Sequence, residues 1–499
     1  MAKKNKQNQL SPIITMLIMI LVASLLSLIL FLLKASADQG VIVNGVLENT
    51  IVPVKNIFSK EGLIYFFSNI ITNFNILEPF ALIIFSIMSA GILKSSGILK
   101  HVFSPFKNLK TTILTFIVIF VGVVSTLIGD FSYIILFPLV AIFYQYTDRS
   151  PVLGIVTMFL GITLGYGTGL MYNYNDFALG VLTQNAAVID VDATYKYELL
   201  SNLYIMIAST VAITFLITIL IDKYLSKKVT ISEKYEDELI TSRKALIISA
   251  IASILLLVPI IMMILPNGIL LDNTQSEYIA KLFGINSPFR LSFMFIYLVL
   301  TTITSIVYGL VSKNFKNNHE IGWGLTKYFD NIGYVFIMMF LISVLTGIVN
   351  WTNLGTFATL KLLEIISLFD FTGIPLIIIS FIFIILMSIL LPGDLQKWSL
   401  ISPILVPLFM RGNLTPDFAQ FVFKAADSVG KVITPLFIYF IIMVGFIQKY
   451  NVKENKVTLF NTMKLIWPII IAMIIFWLLI LIIWYVAGLP LGIETFATM

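Results

Sequence analysis

The chain has 499 residues, is 59% hydrophobic and only 12% charged, and has a mean hydropathy of +0.98, whereas a soluble fold carries about 25% charged residues. It predicts an integral membrane protein. The net charge of +6 is spread over short loops and forms no basic patch, which argues against a nucleic-acid partner; there are no cysteines, and His101 and His319 fall in separate loops, so disulfides, zinc, haem and thiol chemistry are excluded.

Taken in chain order, Lys3, Lys4 and Lys6 precede an apolar run from Pro12 to Leu33, and Ala35-Ser36-Ala37 resembles a signal-peptidase site. A run of 22 apolar residues is longer than a signal core of about 7–15, so an uncleaved first span is expected. Further spans are expected near 76–93, 152–170, 198–222, 243–265, 288–312, 333–350, 418–449 and 463–488, nine in all. Two stretches, 111–147 and 374–411, are too long for one span and are interrupted by Gly129-Asp130 and Gly393-Asp394. Each is expected to be a re-entrant helical hairpin. With the N-terminus cytoplasmic and the C-terminus extracytoplasmic, loops placed inside carry 21 of the 32 basic residues, loops outside 8, and 3 fall within the apolar core. The richest cytoplasmic loop, 223–244, reads as a solvated connector.

The punctuation of the two hairpin regions repeats. Gly129-Asp130 is followed by Pro138, by Pro151 thirteen residues later and by Gly165 fourteen after that; Gly393-Asp394 is followed by Pro403, Pro416 and Gly430 at the same two intervals. One unit starts outside and the other inside, as an inverted repeat requires, and paired interrupted helices in inverted halves point to a secondary transporter. The division is then 1–75, a first span with an extracytoplasmic segment; 76–222, the first repeat; 223–332, connector and scaffold spans; and 333–499, the second repeat.

Chemistry concentrates in KAADSVGKVITP, residues 424–435. Lys424, Asp427 and Lys431 are spaced three and four residues apart, on one helical face, and are expected to pair with one another. An unpaired charge at the bilayer centre costs at least about 2.5–3.5 kcal/mol, so such residues face a partner or a cavity. Gly430 and Pro435 mark the segment as broken. The group reads either as a substrate- or ion-handling site or as a structural ion triad. Asp130 reads as a hairpin-tip site or a helix cap, and Asp176 and Trp398 as site residues or members of an interfacial aromatic belt. Glu78 reads as an outer-edge residue. No phosphate-binding loop, nucleophile elbow or paired-histidine motif is present, and GYGTGL at 165–170 follows an apolar span rather than a strand. An enzyme is not expected, and neither is a cofactor.

Several blocks in order carry a resemblance: NILEPFALIIFSIMSAGILKSSGIL (75–99), STLIGDFSYIILFPL (125–139), FALGVLTQNAAVID (177–190), SNLYIMIAST (201–210), NWTNLGTFATLKLLEI (350–365), KWSLISPILVPLFM (397–410) and KAADSVGKVITPL (424–436). Over nearly its whole length the chain resembles a divergent member of the AbgT transporters, associated with aminobenzoyl-glutamate uptake and antimetabolite efflux. The resemblance implies an all-helical membrane fold of nine spans and two opposed hairpins, a homodimer built on a scaffold, and a bacterial cytoplasmic-membrane location. It implies a secondary active transporter of a small anionic organic solute working by alternating access, with an ion or solute channel without gradient coupling as the alternative. The substrate pathway carried over is Asp176, Trp398, Pro416, Lys424, Asp427 and Pro435, with Lys424 standing where the family has arginine. Thr126, Asp130, Ser428 and Lys431 are the ion-coupling candidates. Thr126, Gly169, Ser388 and Lys431 stand where the family has asparagines in segments expected to hold sodium. The resemblance therefore leaves the coupling ion open between Na⁺ and H⁺, with the second-half sodium site replaced by Lys431 and no metal site assigned.

Overall fold

A chain in hydrocarbon must satisfy its backbone N–H and C=O groups internally, which favours helices and tolerates irregular backbone only where protein or a cavity surrounds it. The computed structural model describes residues 10–43, 46–190, 192–229, 237–368, 371–450 and 458–499; Lys3, Lys4 and Lys6 and residues 230–236 of the connector lie outside the described residues. Among those described, the helices long and apolar enough to span are Pro12–Leu32, Lys60–Ser96, Leu203–Leu225, Arg243–Ile264, Pro288–Ser312, Gly333–Trp351, Pro416–Lys449 and Leu459–Ala487, together with two hairpin limbs, Thr111–Ile128 and Gly373–Leu390. The shorter Pro151–Gly167 completes the nine expected spans.

Both hairpins form where glycine and aspartate interrupt the apolar stretches. In the first, Thr111–Ser125 tightens into a 3₁₀ turn at Thr126–Ile128, Gly129 turns the chain with φ +60°, and Phe131–Tyr146 returns. Positive φ at the tip is the conformation that glycine adopts without a Cβ penalty. In the second, Gly373–Leu390 and Asp394–Arg411 flank non-helical Leu391, Pro392 and Gly393. The helices that follow also break alike. Pro151–Leu164 runs into a 3₁₀ turn at Gly165–Gly167, and Pro416–Gly430 into one at Lys431–Ile433 before Thr434 becomes extended. Gly430 itself is still helical, with φ −63°, so the break begins one residue after it.

What Gly430 provides is close approach. A Cβ there would lie 2.5 Å from the Ser388 Cβ and 2.8 Å from the Ile385 carbonyl oxygen on the first limb of its own hairpin. At the matching Gly165 a Cβ would meet Val123 Cα at 2.9 Å, again on the first limb of its own hairpin. The repeat read from spacing is thus also a repeat of packing.

Three elements were not foreseen. An antiparallel β-hairpin pairs Ser36–Val43 with Val46–Pro53, so Ala35-Ser36-Ala37 is the junction between the first span and a strand. An amphipathic helix, Lys60–Asn75, is capped by Ser59, whose hydroxyl accepts from the Gly62 N–H at 3.0 Å. Tyr174–Asp190 is helical between the first break and the next span. The described end of the connector is not simply solvated, because Lys100 pairs with Asp237 at 2.7 Å and donates to the 237 and 239 carbonyls.

Gly430→Ala is expected to lower the melting temperature of the detergent-purified protein, since overpacking costs about 1–3 kcal/mol. Gly322→Ala, where a Cβ meets nothing within 4 Å, is expected to be neutral or slightly stabilising. Equal melting temperatures for the two variants would contradict the packing argument.

Candidate functional site

The two helix breaks and the two hairpin tips meet. Lys431, one residue past Gly430, lies with its ammonium 3.9 Å from the ring centroid of Tyr166, one residue past Gly165. The Tyr166 hydroxyl donates to Asp394 Oδ2 at 2.6 Å, and Asn175 Nδ2 donates to the same oxygen at 3.2 Å. Asp394 opens the returning limb of the second hairpin, so groups from the first half hold the second tip.

A charged chain runs from this point into the core. The Lys431 ammonium is 3.6 Å from Asp394 Oδ2 and 2.7 Å from Asp427 Oδ2. Asp427 Oδ1 accepts from Ser388 Oγ at 2.7 Å and forms a short ion pair with Lys397, and neither Asp427 nor Lys397 has any solvent exposure. Lys397 also donates to the Leu391 carbonyl at 2.9 Å, a backbone group left without a helical partner by the hairpin break. The ammonium therefore satisfies backbone and carboxylate together.

Lys424 does not belong to this chain, and here the structure corrects the expected triad. Its ammonium pairs with Asp176 Oδ1, both groups being buried. Helical side chains lean toward the N-terminus, so Lys431 leans back onto Asp427 whereas Lys424 leans away from it; an acid preceding a lysine by four residues is the favoured order. Asp176 is fixed in turn: its Oδ2 accepts from the Asn173 N–H at 2.9 Å, and its own N–H donates to Asn173 Oδ1 at 3.0 Å. Asn173 Nδ2 reaches the Thr126 carbonyl at the first hairpin's tip at 3.1 Å.

Trp398 is fully buried, not part of an interfacial belt. Its indole N–H donates to Thr183 Oγ1 at 3.0 Å and its ring tilts over Phe423, with centroids 4.5 Å apart. Thr183 donates to Gln420 Oε1 at 2.8 Å, and Gln420 Nε2 to the Asp176 carbonyl at 3.3 Å, so Trp398, Asp176 and Lys424 form one connected group. Thr126 and Ser428 turn their hydroxyls back onto their own helices, donating to the Val123 and Ala425 carbonyls at 2.8 and 2.7 Å. Pro416 starts the broken helix and Pro435 lies in its extended break; neither lines a described cavity.

A cavity of about 310 Å³ lies beside the breaks, walled by Glu78, Asp130, Asp394, Lys431, Phe437 and Tyr439 among others. Asp130 makes no helix-capping bond, which removes the capping reading. Glu78 is not merely an edge residue: it pairs with Arg290 at 2.8 Å and borders both this cavity and a smaller one of about 50 Å³ at the first tip. Lys424, expected on the pathway wall, borders neither. The residue that sequence reasoning missed is Lys397; its signal was a lysine three residues after the tip aspartate inside an apolar hairpin, a place where ionisable groups are rarely incidental.

Apolar spans enclosing two hairpin tips and two broken helices around one polar site of paired lysines and aspartates define a membrane transporter fold. Residues 5–499 match the AbgT putative transporter family, and the chain belongs to it. A p-aminobenzoyl-glutamate transport protein of Escherichia coli (strain K12) is 26% identical over 461 residues, 91% of this chain and 89% of that protein. The crystal structure of the Alcanivorax borkumensis YdaH transporter, described as having an unusual topology, is similar in fold, with 22% identity, coverage of 97% of this chain and 100% of that one, and a TM-score of 0.50. Neisseria gonorrhoeae MtrF, described as illuminating a class of antimetabolite efflux pumps, matches at 22% identity over 98% of each chain with a TM-score of 0.49.

Removing one partner of a buried ion pair leaves an uncompensated charge and costs about 3–5 kcal/mol. Asp427→Asn strands two lysines, Lys397 and Lys431, whereas Asp176→Asn strands only Lys424. Asp427→Asn is therefore expected to give the lower yield and melting temperature, and Lys397→Met combined with Asp427→Asn to recover part of the loss. Equal melting curves for the two single variants would contradict the network.

Proposed function

We propose that this chain is a secondary active transporter that carries a small anionic organic solute by alternating access. The observation that supports the reading is the cavity of about 310 Å³ between the two hairpin tips, with Lys431 on its wall. Its volume is at the lower end of the roughly 300–1,000 Å³ usual for small-molecule sites, and Lys431 supplies a cation that a carboxylate can meet. Lys424 is held by Asp176 in this conformation, so in this reading the solute's carboxylate takes over from Asp176 as the element rearranges. A lysine offers a point charge where an arginine would grip a carboxylate bidentately. The moving parts are the hairpin-bearing repeats, 76–222 and 333–499, working against the scaffold 223–332 in a homodimer of the bacterial cytoplasmic membrane, N-terminus inside and C-terminus outside. The curated relative makes p-aminobenzoyl-glutamate the first solute to test, with antimetabolites exported by the same route as the second arm.

Coupling follows from the lysines. Lys397 and Lys431 place two ammonium groups against Asp427, and Lys397 also holds the Leu391 carbonyl. These are the oxygens that a sodium ion at the second break would need. The second break therefore works without bound sodium, and the driving ion, Na⁺ or H⁺, acts elsewhere.

Proteoliposomes with sodium and proton gradients imposed separately test the reading. Accumulation of p-aminobenzoyl-glutamate against its own gradient is expected; flux that only dissipates the gradient would instead show a channel. Lys424→Ala is expected to abolish transport and, because it strands the buried Asp176 carboxylate, to lower the melting temperature as well, whereas Lys424→Arg, which keeps the pair, is expected to retain activity. Normal transport by Lys424→Ala would remove Lys424 from the solute's path and leave the anion assignment on Lys431 alone.

A further inference from the structure

The site just described balances its lysines against aspartates, but one buried carboxylate elsewhere has no cation. Asp417, in the first turn of Pro416–Gly430, is 5% exposed, and no lysine, arginine or histidine pairs with it among the described residues. Around it stand Ser201 and Asn202, at the start of Leu203–Leu220, and Tyr195 from the preceding loop. Asn202 Nδ2 donates to the Asp417 backbone carbonyl at 3.1 Å, which fixes its carboxamide beside the aspartate. The Ser201 and Tyr195 hydroxyls lie against the carboxylate without a hydrogen bond of normal geometry. Four oxygens, Asp417 Oδ1, Asn202 Oδ1, Ser201 Oγ and Tyr195 OH, are buried without a hydrogen bond of normal geometry among the described residues.

Helix capping does not account for these groups. The broken helix is already capped by Thr415, whose hydroxyl accepts from the Phe418 N–H, and Asn202 makes no side-chain capping bond. The first N–H groups of Leu203–Leu220 are met instead by the C-terminal segment: Tyr204 and Ile205 donate to the Leu491 carbonyl at 2.8 and 3.0 Å. The same segment closes over the cluster, Thr495 donating to the Ser201 carbonyl at 2.5 Å and Thr415 donating through its N–H to the Ala497 carbonyl at 3.0 Å.

We propose that Asp417, Asn202, Ser201 and Tyr195 bind one sodium ion. The donor set is all oxygen, which suits a hard cation. A single carboxylate neutralises a single charge, whereas calcium takes 6–8 oxygens, commonly with several carboxylates. Water can satisfy the hydroxyls and the amide, but it does not offset a buried negative charge, and Glu198 adds a second negative charge nearby. The site joins the last span of the first repeat to the broken helix of the second. Bound sodium ties the two halves together at the end remote from the Lys431 break, where the ammonium groups already occupy the cation position.

The test measures binding, so it does not depend on knowing the solute. Purified full-length protein is titrated with ²²Na⁺, and its melting is compared in sodium chloride and choline chloride. The expected result is one sodium per chain, a higher melting temperature in sodium, loss of both in Asp417→Asn, and about tenfold weaker binding, about 1.4 kcal/mol, in Asn202→Ala and Ser201→Ala. Coincident wild-type melting curves in sodium and choline, with no ²²Na⁺ bound, would overturn the assignment and leave a proton or water to satisfy Asp417. Should Asp417→Asn fail to fold, the two alanine variants decide: wild-type sodium affinity in both would also overturn it. A protein that binds sodium here but moves no anion would instead remove the functional reading and leave this site standing.

Discussion

Asp427 between two ammonium groups is the interaction on which the second half depends. A single charge in hydrocarbon costs kilocalories, and a pair repays that cost only when its remaining hydrogen-bonding capacity is met. Here Ser388 and the Leu391 carbonyl meet it, and Asp394 carries the alternation on to the hairpin tip. Lys397 and Asp394 belong to the hairpin, Asp427 and Lys431 to the broken helix. Electrostatics thus makes hairpin and broken helix one unit, and Gly430 lets their backbones come close enough for it.

The first half builds the same frame from neutral groups. Tyr133 stands three residues after its tip aspartate, as Lys397 does after Asp394, and its hydroxyl bonds Thr163 at 3.0 Å where Lys397 bonds Asp427. Tyr166 and Lys431 each follow the matching glycine by one residue, and these two counterparts touch. A residue meets its own counterpart only near the axis that relates two repeats. The contact is what two units related by a two-fold axis near their breaks would give, and it is consistent with the inverted pair that the sequence intervals suggest.

What was legible in the residues was local. Hydropathy located nine spans, and glycine–aspartate pairs located both hairpin tips, because length and interruption are properties of one segment. Partner choice was legible only in part. The four-residue spacing gave the Asp427–Lys431 pair, but Lys424 takes Asp176 and Asp427 takes Lys397 as a second partner, through approaches that no spacing along residues 424–435 encodes. The β-hairpin and Tyr174–Asp190 were missed because neither carries the long apolar signal that identifies a span. Lys397 is legible in the sequence as one of the few basic residues inside an apolar stretch, three residues after the tip aspartate, but its partners, Asp427 and the Leu391 carbonyl, are set by the fold.

The difference between the two tips bears on how such a site can open. Backbone groups at the first tip are met by neutral donors: Ser132 donates to the Gly129 carbonyl at 2.7 Å and Asn173 to the Thr126 carbonyl at 3.1 Å. Water can replace these at small cost. At the second tip the donor is a fully buried ammonium whose departure would leave the Leu391 carbonyl unmet and take from Asp427 one of its two counter-charges. A rearrangement that keeps these charges paired would move the second hairpin and broken helix as one, and the contacts it would part are those between halves, among them the Tyr166 and Asn175 bonds to Asp394, the Lys431–Tyr166 contact and the Lys424–Asp176 pair. Of these only the last exposes a full charge on both sides as it parts, so any rearrangement that separates the halves either supplies Lys424 with another anion or meets its largest barrier there.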